Sequence, residues 1–281
     1  AAGVAARTHG RGPAAGVTGA CLDSRVVRPG DLYVALPGAR SHGADFARAA
    51  VDAGAAGVLT DAEGRARLAE QGLDGSAVIE VDSVRTAAGV VAARVYGGGQ
   101  DAGPRLIGIT GTNGKTTTSF LAAALLEALD RRSGVIGTIL IRAGGREVPS
   151  TLTTPESTQL HALMALMREE QVDTAVMEVS SHALEFHRVD GVHYDVTGFT
   201  NLTQDHLDLH GSMEEYFEAK AGLFDPERTA RAVITVDGGE GPRWGLAMAR
   251  AVRTPVITLA LGPTAPHPRA LAEEDPDFRA D

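Results

Sequence analysis

The sequence predicts an α/β protein of two domains, a small α/β domain followed by a larger one built on a mostly parallel sheet. Short apolar runs of strand length alternate with segments of helical spacing, from "VTGACLDS" to "PVITLA". Such alternation means parallel strands with helices on both faces. One seam interrupts it: "YGGGQDAGPR", 96–105, is rich in glycine and ends near a proline. The chain has 281 residues, enough for about two domains. The seam places the first over 1–100 and the second over 101–281.

In the first domain, "VTGACLDS" and "DLYVALPG" read as strands, and 43–54 carries helical spacing ending on Gly54. "GVLTD" and "AVIEV" are short apolar strands, and 83–96 is a helix with Ser83 as its N-cap. In the second, "RLIGIT" is a strand, followed by a glycine-rich turn and the helix "TTSFLAAALLEALD". "GVIGTILI" reads as one strand, with a hairpin turn at 143–145. "TLTTPE" is a loop, and a helix runs from Pro155 to about Glu169. "DTAVMEVS" and "YDVTGFTN" are strands. A helix carrying Lys220, the strand "RAVITV", a helix near 242–251 and the strand "PVITLA" complete the pattern.

Composition narrows the function. Hydrophobic residues make up 43% and charged residues 22%, as in an ordinary globular protein. The net charge of −10 supplies no basic field for nucleic acid or anionic lipid, so neither is expected as a partner. Acidic ligands must then be held by local devices such as helix N-termini. The lone Cys21 excludes an internal disulfide framework and fits a reducing compartment. No apolar run reaches the roughly 18 residues of a membrane span, and the N-terminus lacks the apolar core of a signal peptide, so a cytoplasmic location is expected. The first residue is not Met and "EEDPDFRAD" supplies no closing element, so the chain is expected to be a piece of a longer protein.

The clearest chemical signal is "GITGTNGKTTT", 108–118, with a strand leading in and a helix leading out. Gly111 and Gly114 allow a turn whose amides point at phosphate oxygens, Lys115 reaches the β/γ-phosphates, and Thr116 ligates Mg²⁺. The common phosphate loop has a glycine where this chain has Ile109, so "TGTNGKT" is a variant. A metal partner is expected at the end of a neighbouring strand, and Glu178 in "AVMEVSSH" is the first acidic residue there. "TNLTQDHLDLHG", 200–211, places Asp205, His206, Asp208 and His210 in one loop after a strand, a mixture better suited to magnesium than to zinc. Finally, "EEYFEAKAGLF" puts Lys220 in register with Met213, Phe217 and Phe224 on an apolar helical stripe, with Tyr216 one turn before it. By itself Lys220 reads as a lysine snorkelling at a helix edge.

"LDSR", "TGTNGKTT", "TTPE", "MEVSSHAL" and "FTNLTQDHLDLHGSMEEYFEAK" together resemble the Mur ligases, over about Val17 to Val256. The resemblance implies a uridine-binding domain, a P-loop ATPase domain, and a C-terminal amino-acid-binding domain that this chain lacks. It implies an ATP-dependent ligase of peptidoglycan synthesis, and hence of cell shape and division. That enzyme adds a third amino acid to UDP-MurNAc-L-Ala-D-Glu through an acyl phosphate, and the Ala/Gly/Arg richness, as of a GC-rich genome, favours meso-diaminopimelate over L-lysine. ATP, two Mg²⁺ ions and CO₂ held as a lysine carbamate are its implied cofactors, and a monomer its implied state.

The same resemblance assigns residues. Leu22 and Ser24, with the segment Ala39, Arg40 and Ser41, match contacts to the uridine part. Gly111, Thr112, Asn113, Gly114, Lys115, Thr116 and Thr117 match the ATP loop. Thr153, Thr154, Ser180 and Arg188 match contacts to the UDP-muramoyl peptide, while Leu152 and Phe186 stand where some members have Asn and Gln. Glu178 and His206 match magnesium ligands, and Lys220 matches a lysine carried as a carbamate that ligates the second ion. The alternatives are a related amide ligase of the folylpolyglutamate or cyanophycin type, or a non-catalytic piece that binds the UDP-muramoyl peptide. The piece alone is expected to ligate little.

Overall fold

The computed structural model describes residues 5–10, 16–97, 103–236, 242–261 and 278–280. The chain divides into two compact units. The first comprises Ala1–Gly103, Glu156–Ala165 and His187–Gly191, and the second Pro104–Pro155, Leu166–Phe186 and Val192–Asp281. Of the glycine seam, residues 98–102 lie outside the described residues.

The first unit holds strands β1 (Ala6–His9), β2 (Gly19–Cys21), β3 (Asp31–Val34), β4 (Gly57–Thr60) and β5 (Val78–Val81), in the order β1-β5-β4-β3-β2. All pair in parallel except β1, which is antiparallel to β5. Its helices include α1 (Ala47–Asp52), α2 (Ala62–Glu70) and α3 (Val84–Val95). Period-two alternation splits the strand side chains between two cores. Tyr33 and Val58 pack with Ala47, Ala50 and Leu68 of α1 and α2. Leu32, Val34 and Leu59 pack with Val84, Ala87 and Ala88 of α3.

Ser83 caps α3, its hydroxyl accepting from Thr86 N–H. The helix expected over 43–54 is instead a 3₁₀ turn, Gly43–Phe46, followed by the shorter α1. His42 causes the break, because its Nδ1 accepts from Ala44 N–H and Asp45 reaches back to its backbone. Two elements have little apolar signal. Strand β1 is mostly exposed and is tied by Arg7 and His9 to Glu80. Helix α2 starts on the capping Asp61 and buries only Gly64 and Leu68.

The second unit holds β6 (Arg105–Thr110), β7 (Ser133–Ile136), β8 (Ile141–Ala143), β9 (Arg146–Val148), β10 (Thr174–Glu178), β11 (Val196–Phe199), β12 (Ala232–Thr235), β13 (Val256–Leu261) and β14 (Phe278–Ala280). The sheet order is β14-β13-β12-β11-β6-β10-β7-β8-β9, parallel except at the antiparallel pairs β7·β8 and β8·β9. Along the chain come α4 (Lys115–Ala128), α5 (Ser157–Glu169), α6 (Ser181–Glu185), α7 (Leu207–His210), α8 (Met213–Ala221) and α9 (Pro242–Ala251). Helix α5 gives its first residues to the first unit and its last to the second. Ala123, Phe120 and Leu126 of α4 pack on Ile109, Val135 and Val176.

Two expectations are corrected. "GVIGTILI" is not one strand: the chain leaves β7 after Ile136, turns, and returns as β8, with Ile136 opposite Ile141. The expected hairpin turn at 143–145 joins β8 to β9, with Gly144 at φ +59. The tail "EEDPDFRAD", read as carrying no closing element, supplies β14, which pairs in parallel with β13.

Gly89 lies inside α3, where alanine normally adds about 1 kcal/mol of helix stability. Here a Cβ would sit 2.2 Å from the Asp190 carbonyl oxygen. Gly89→Ala is therefore expected to destabilise the chain by about 1–3 kcal/mol, the range for overpacking. Urea unfolding of the two proteins checks the sign.

Candidate active site at the phosphate loop

Strand register builds this site. β6 lies between β10 and β11, with Glu178 opposite Ile109 and Phe199 opposite Thr110. The loop after β6 therefore emerges between the residues following Glu178 and those following Phe199, at the carboxyl edge where α/β sheets bind ligands.

Gly111 has φ +143 and Gly114 φ +86, both in the region that favours glycine. A Cβ on Gly111 would also lie 1.9 Å from Thr200 Oγ1. The loop is anchored on residues 200–203. Thr112 N–H donates to Asn201 O, and Asn113 N–H to Asn201 Oδ1. The Thr200 hydroxyl and Asn201 Nδ2 both donate to Asn113 O. These anchors were not foreseen from the sequence. Helix α4 then starts on Gly114 with no side-chain cap, whereas Asp61, Ser83, Ser180 and Ser212 cap α2, α3, α6 and α8. Its first-turn amides and positive dipole end are suited to an anion. Thr117 lies exposed in that first turn.

Glu178 ends β10 and is buried at 1% exposure, so it is not a solvated strand end. Its Oε2 accepts from Thr116 Oγ1 at 2.8 Å and from Thr138 Oγ1 at 3.1 Å, and its Oε1 from Thr138 N–H at 2.9 Å. Thr138 enters because of the β7–β8 turn, which the one-strand reading concealed. The donor set fits magnesium, since two adjacent oxygens on an octahedron of 2.0–2.1 Å radius lie about 2.9 Å apart. Among the described residues, no three His, Cys, Asp or Glu side chains form a metal cluster of their own. The fit is to an ion sharing oxygens with a nucleotide.

Lys220 is 1% exposed, which overturns the snorkelling reading. Its Nζ donates to Gly111 O at 3.0 Å and lies 4.5 Å from the centre of the Tyr216 ring. Lys115 Nζ donates to the same carbonyl and to Thr112 O, each at 2.9 Å. Burial, with the Lys115 ammonium beside it, pulls the Lys220 amine down to about 7. Burial also lowers Lys115, against the pull of Glu178 and Asp205.

His206 has φ +51 and stands at the N-cap position of α7 without a side-chain cap, with Nε2 3.5 Å from Asp205 Oδ2. Its ring meets those of His182 at 4.7 Å and Tyr216 at 6.1 Å, and no hydrogen bond or ion pair joins it to Glu178 or Lys220. Asp208 and His210, expected in a loop, lie on the short α7, and His210 is buried. Thr154 Oγ1 donates to Glu178 O, accepts from Ser180 N–H and lies 3.4 Å from Ser180 Oγ. The Thr153 hydroxyl lies 3.0 Å from Thr138 Oγ1, whose proton goes to Glu178 Oε2. Leu152 is 38% exposed, and Phe186 ends α6.

In the first unit, Leu22 is half-buried against the α3-side core, and Ser24 starts a 3₁₀ turn. Ala39, Arg40 and Ser41 are exposed. Arg188 Nε lies 2.9 Å from Glu156 Oε1, and Arg85 Nη1 lies 3.5 Å from Glu156 Oε2.

The family description "Mur ligase middle domain" matches residues 109–272, and "Mur ligase family, catalytic domain" matches residues 16–96. The chain belongs to the Mur ligase family. A UDP-N-acetylmuramoyl-L-alanyl-D-glutamate–2,6-diaminopimelate ligase of Streptomyces coelicolor is 46% identical over 266 residues, 94% of this chain and 49% of that protein. A UDP-N-acetylmuramyl-tripeptide synthetase of Leifsonia xyli subsp. xyli is 48% identical over 244 residues, 87% of this chain and 46% of that protein. Among solved structures, a UDP-N-acetylmuramoyl-L-alanyl-D-glutamate–2,6-diaminopimelate ligase superposes with a TM-score of 0.71 at 29% identity. The match covers 94% of this chain and 51% of that one. This Mur ligase chain thus spans about half the length of the curated relatives it matches.

The lowered Lys220 value has a thermodynamic consequence. Between about pH 7 and the unfolded lysine value of about 10.4, the folded chain binds fewer protons at this position than the unfolded chain. Stability from this residue therefore rises with pH across that window, by up to about 1.4 kcal/mol per unit, and is lost on acidification toward pH 7. Urea unfolding at pH 7, 8 and 9 should show a steeper rise for the wild type than for Lys220→Met.

Proposed function

We propose that this chain supplies the nucleotide-handling part of an ATP-dependent ligase that joins a third amino acid to UDP-MurNAc-L-Ala-D-Glu. Meso-diaminopimelate is favoured over L-lysine because the Streptomyces coelicolor relative carries diaminopimelate in its name. The observation that carries the reading is the convergence of the uncapped α4 N-terminus, Lys115, the Thr116–Glu178 oxygen pair and buried Lys220 on one loop.

In this reading the loop amides of 111–117 take the ATP phosphates, and Lys115 exchanges its two loop carbonyls for phosphate oxygens. The D-glutamate carboxylate oxygen attacks the γ-phosphorus. The new O–P bond forms as the bond to the bridging oxygen breaks, and ADP leaves. The incoming amine then attacks the acyl phosphate, the C–O bond to phosphate breaks, and an amide forms with loss of a proton. Thr116, Glu178, His206 and a carbamylated Lys220 would hold two Mg²⁺ ions, which when bound neutralise phosphate and carboxylate charge.

The amine's environment supports the carbamate. A neutral Lys220 nitrogen attacks the carbon of CO₂, a C–N bond forms as one C=O opens to O⁻, and the nitrogen gives up a proton. Burial favours the neutral amine this step needs. Leu22, Ser24 and Arg188 are candidate contacts to the UDP-muramoyl peptide in the first unit, and Thr153, Thr154 and Ser180 are candidates in the second. A cytoplasmic monomer belongs to the same reading. Among the described residues, no helix is long and apolar enough to cross a membrane.

Calorimetric titration of the 281-residue chain with ADP and Mg²⁺ tests the site. Binding is expected, weakened at least about tenfold in Lys115→Ala, as for loss of a hydrogen bond to a charged group. Absence of binding by the wild type, or equal binding by the variant, contradicts the assignment.

A further inference from the structure

The strongest feature left unassigned is Tyr216, buried at 1% exposure one helical turn before Lys220. Its hydroxyl lies 3.2 Å from Thr112 Oγ1, in the phosphate loop. The direction of that bond follows from counting. A hydroxyl has one proton and two acceptor positions. The Thr112 proton goes to Thr203 O at 3.1 Å, and one acceptor position takes Thr203 N–H at 3.0 Å. The remaining acceptor position takes the phenol, so Tyr216 donates. The ring itself lies 4.5 Å from Lys220 Nζ and stacks on His210 at 5.0 Å with an interplanar angle of 30°.

We propose that Tyr216 is a positioning residue for the nucleotide: its phenol fixes the phosphate loop through Thr112 while its ring fixes the buried lysine on the same loop. One side chain then sets both ends of the site, tying the rotation of α8 to the conformation of 111–114. Thr112 is the hinge of this arrangement. Its hydroxyl joins the loop to residues 200–203, and the phenol supplies the third bond that keeps it from turning. Burial pushes the phenol above its ordinary value, so it keeps its proton in the physiological range. The proposal rests on the phosphate-loop reading for its ligand, but its structural half stands without it.

The test uses Tyr216→Phe, which keeps the ring. In the nucleotide-free chain, amide hydrogen exchange of the 110–117 segment should speed up about fivefold, the factor a lost neutral hydrogen bond carries. Exchange in the first unit should not change. ADP affinity with Mg²⁺ should fall by a similar factor. Thr112→Val should lower it further, and the double variant should bind no worse than Thr112→Val alone, because that substitution already removes the phenol's bond along with the two to Thr203. Unchanged loop exchange in Tyr216→Phe, or additive losses in the double variant, overturns the proposal. A wild type that binds no ADP overturns the phosphate-loop reading instead, and the exchange experiment still decides the role of Tyr216.

Discussion

The Gly111 carbonyl, shared by the amines of Lys115 and Lys220, is the contact on which the rest of the site depends. Two ammonium groups on one acceptor in a buried setting repel each other, and each has lost water. Lys115 has a second carbonyl and the favourable fields of Glu178 and Asp205, whereas Lys220 has an aromatic face and less help. The asymmetry sets the two amines apart: burial and the Lys115 ammonium bring Lys220 down to about 7, while Glu178 and Asp205 oppose the lowering of Lys115. In the proposed reading Lys115 is the cation for phosphate and Lys220 the amine that takes up CO₂. In that reading the division serves a site for ATP and magnesium, one lysine supplying positive charge and the other, once carbamylated, a negatively charged ligand.

That contact is possible only because of the sheet order. Placing β6 between β10 and β11 delivers the loop, Glu178 and the 200–203 anchors to one edge. The β7–β8 turn brings Thr138 to the same carboxylate. Glu178 is thereby held on both oxygens. Such preorganisation lowers the reorganisation needed on binding. Glycine at 111 is required twice over, by its φ and by the closeness of Thr200.

What could be read from the chain alone was local. The loop at 108–118 announced itself because strand, turn and helix are contiguous, and Lys220 stood out because an ammonium broke a 3.6-residue apolar period. Ser83 was legible as a cap for the same reason. Thr138, Thr200, Asn201 and Thr203 were not, because their roles arise from pairing between strands far apart in sequence. The β7–β8 turn was missed because its only marks in the apolar run "GVIGTILI" are Gly137 and Thr138, too short a break to read as a reversal at strand spacing. Helix α2 was passed over because it buries little, and β1 because charge on Glu80 holds it rather than an apolar pattern. The Tyr216–Thr112 bond had half a signal, since Tyr216 sits four residues before Lys220, but its partner lies 104 residues away.

The most direct measurement of the central claim is carbon-13 NMR of the chain near pH 8 with labelled bicarbonate. A slowly exchanging carbamate resonance, abolished by Lys220→Met, is the result expected of a buried neutral amine. A spectrum with no such resonance, together with a Lys220 amine that titrates at the ordinary lysine value, would contradict the account.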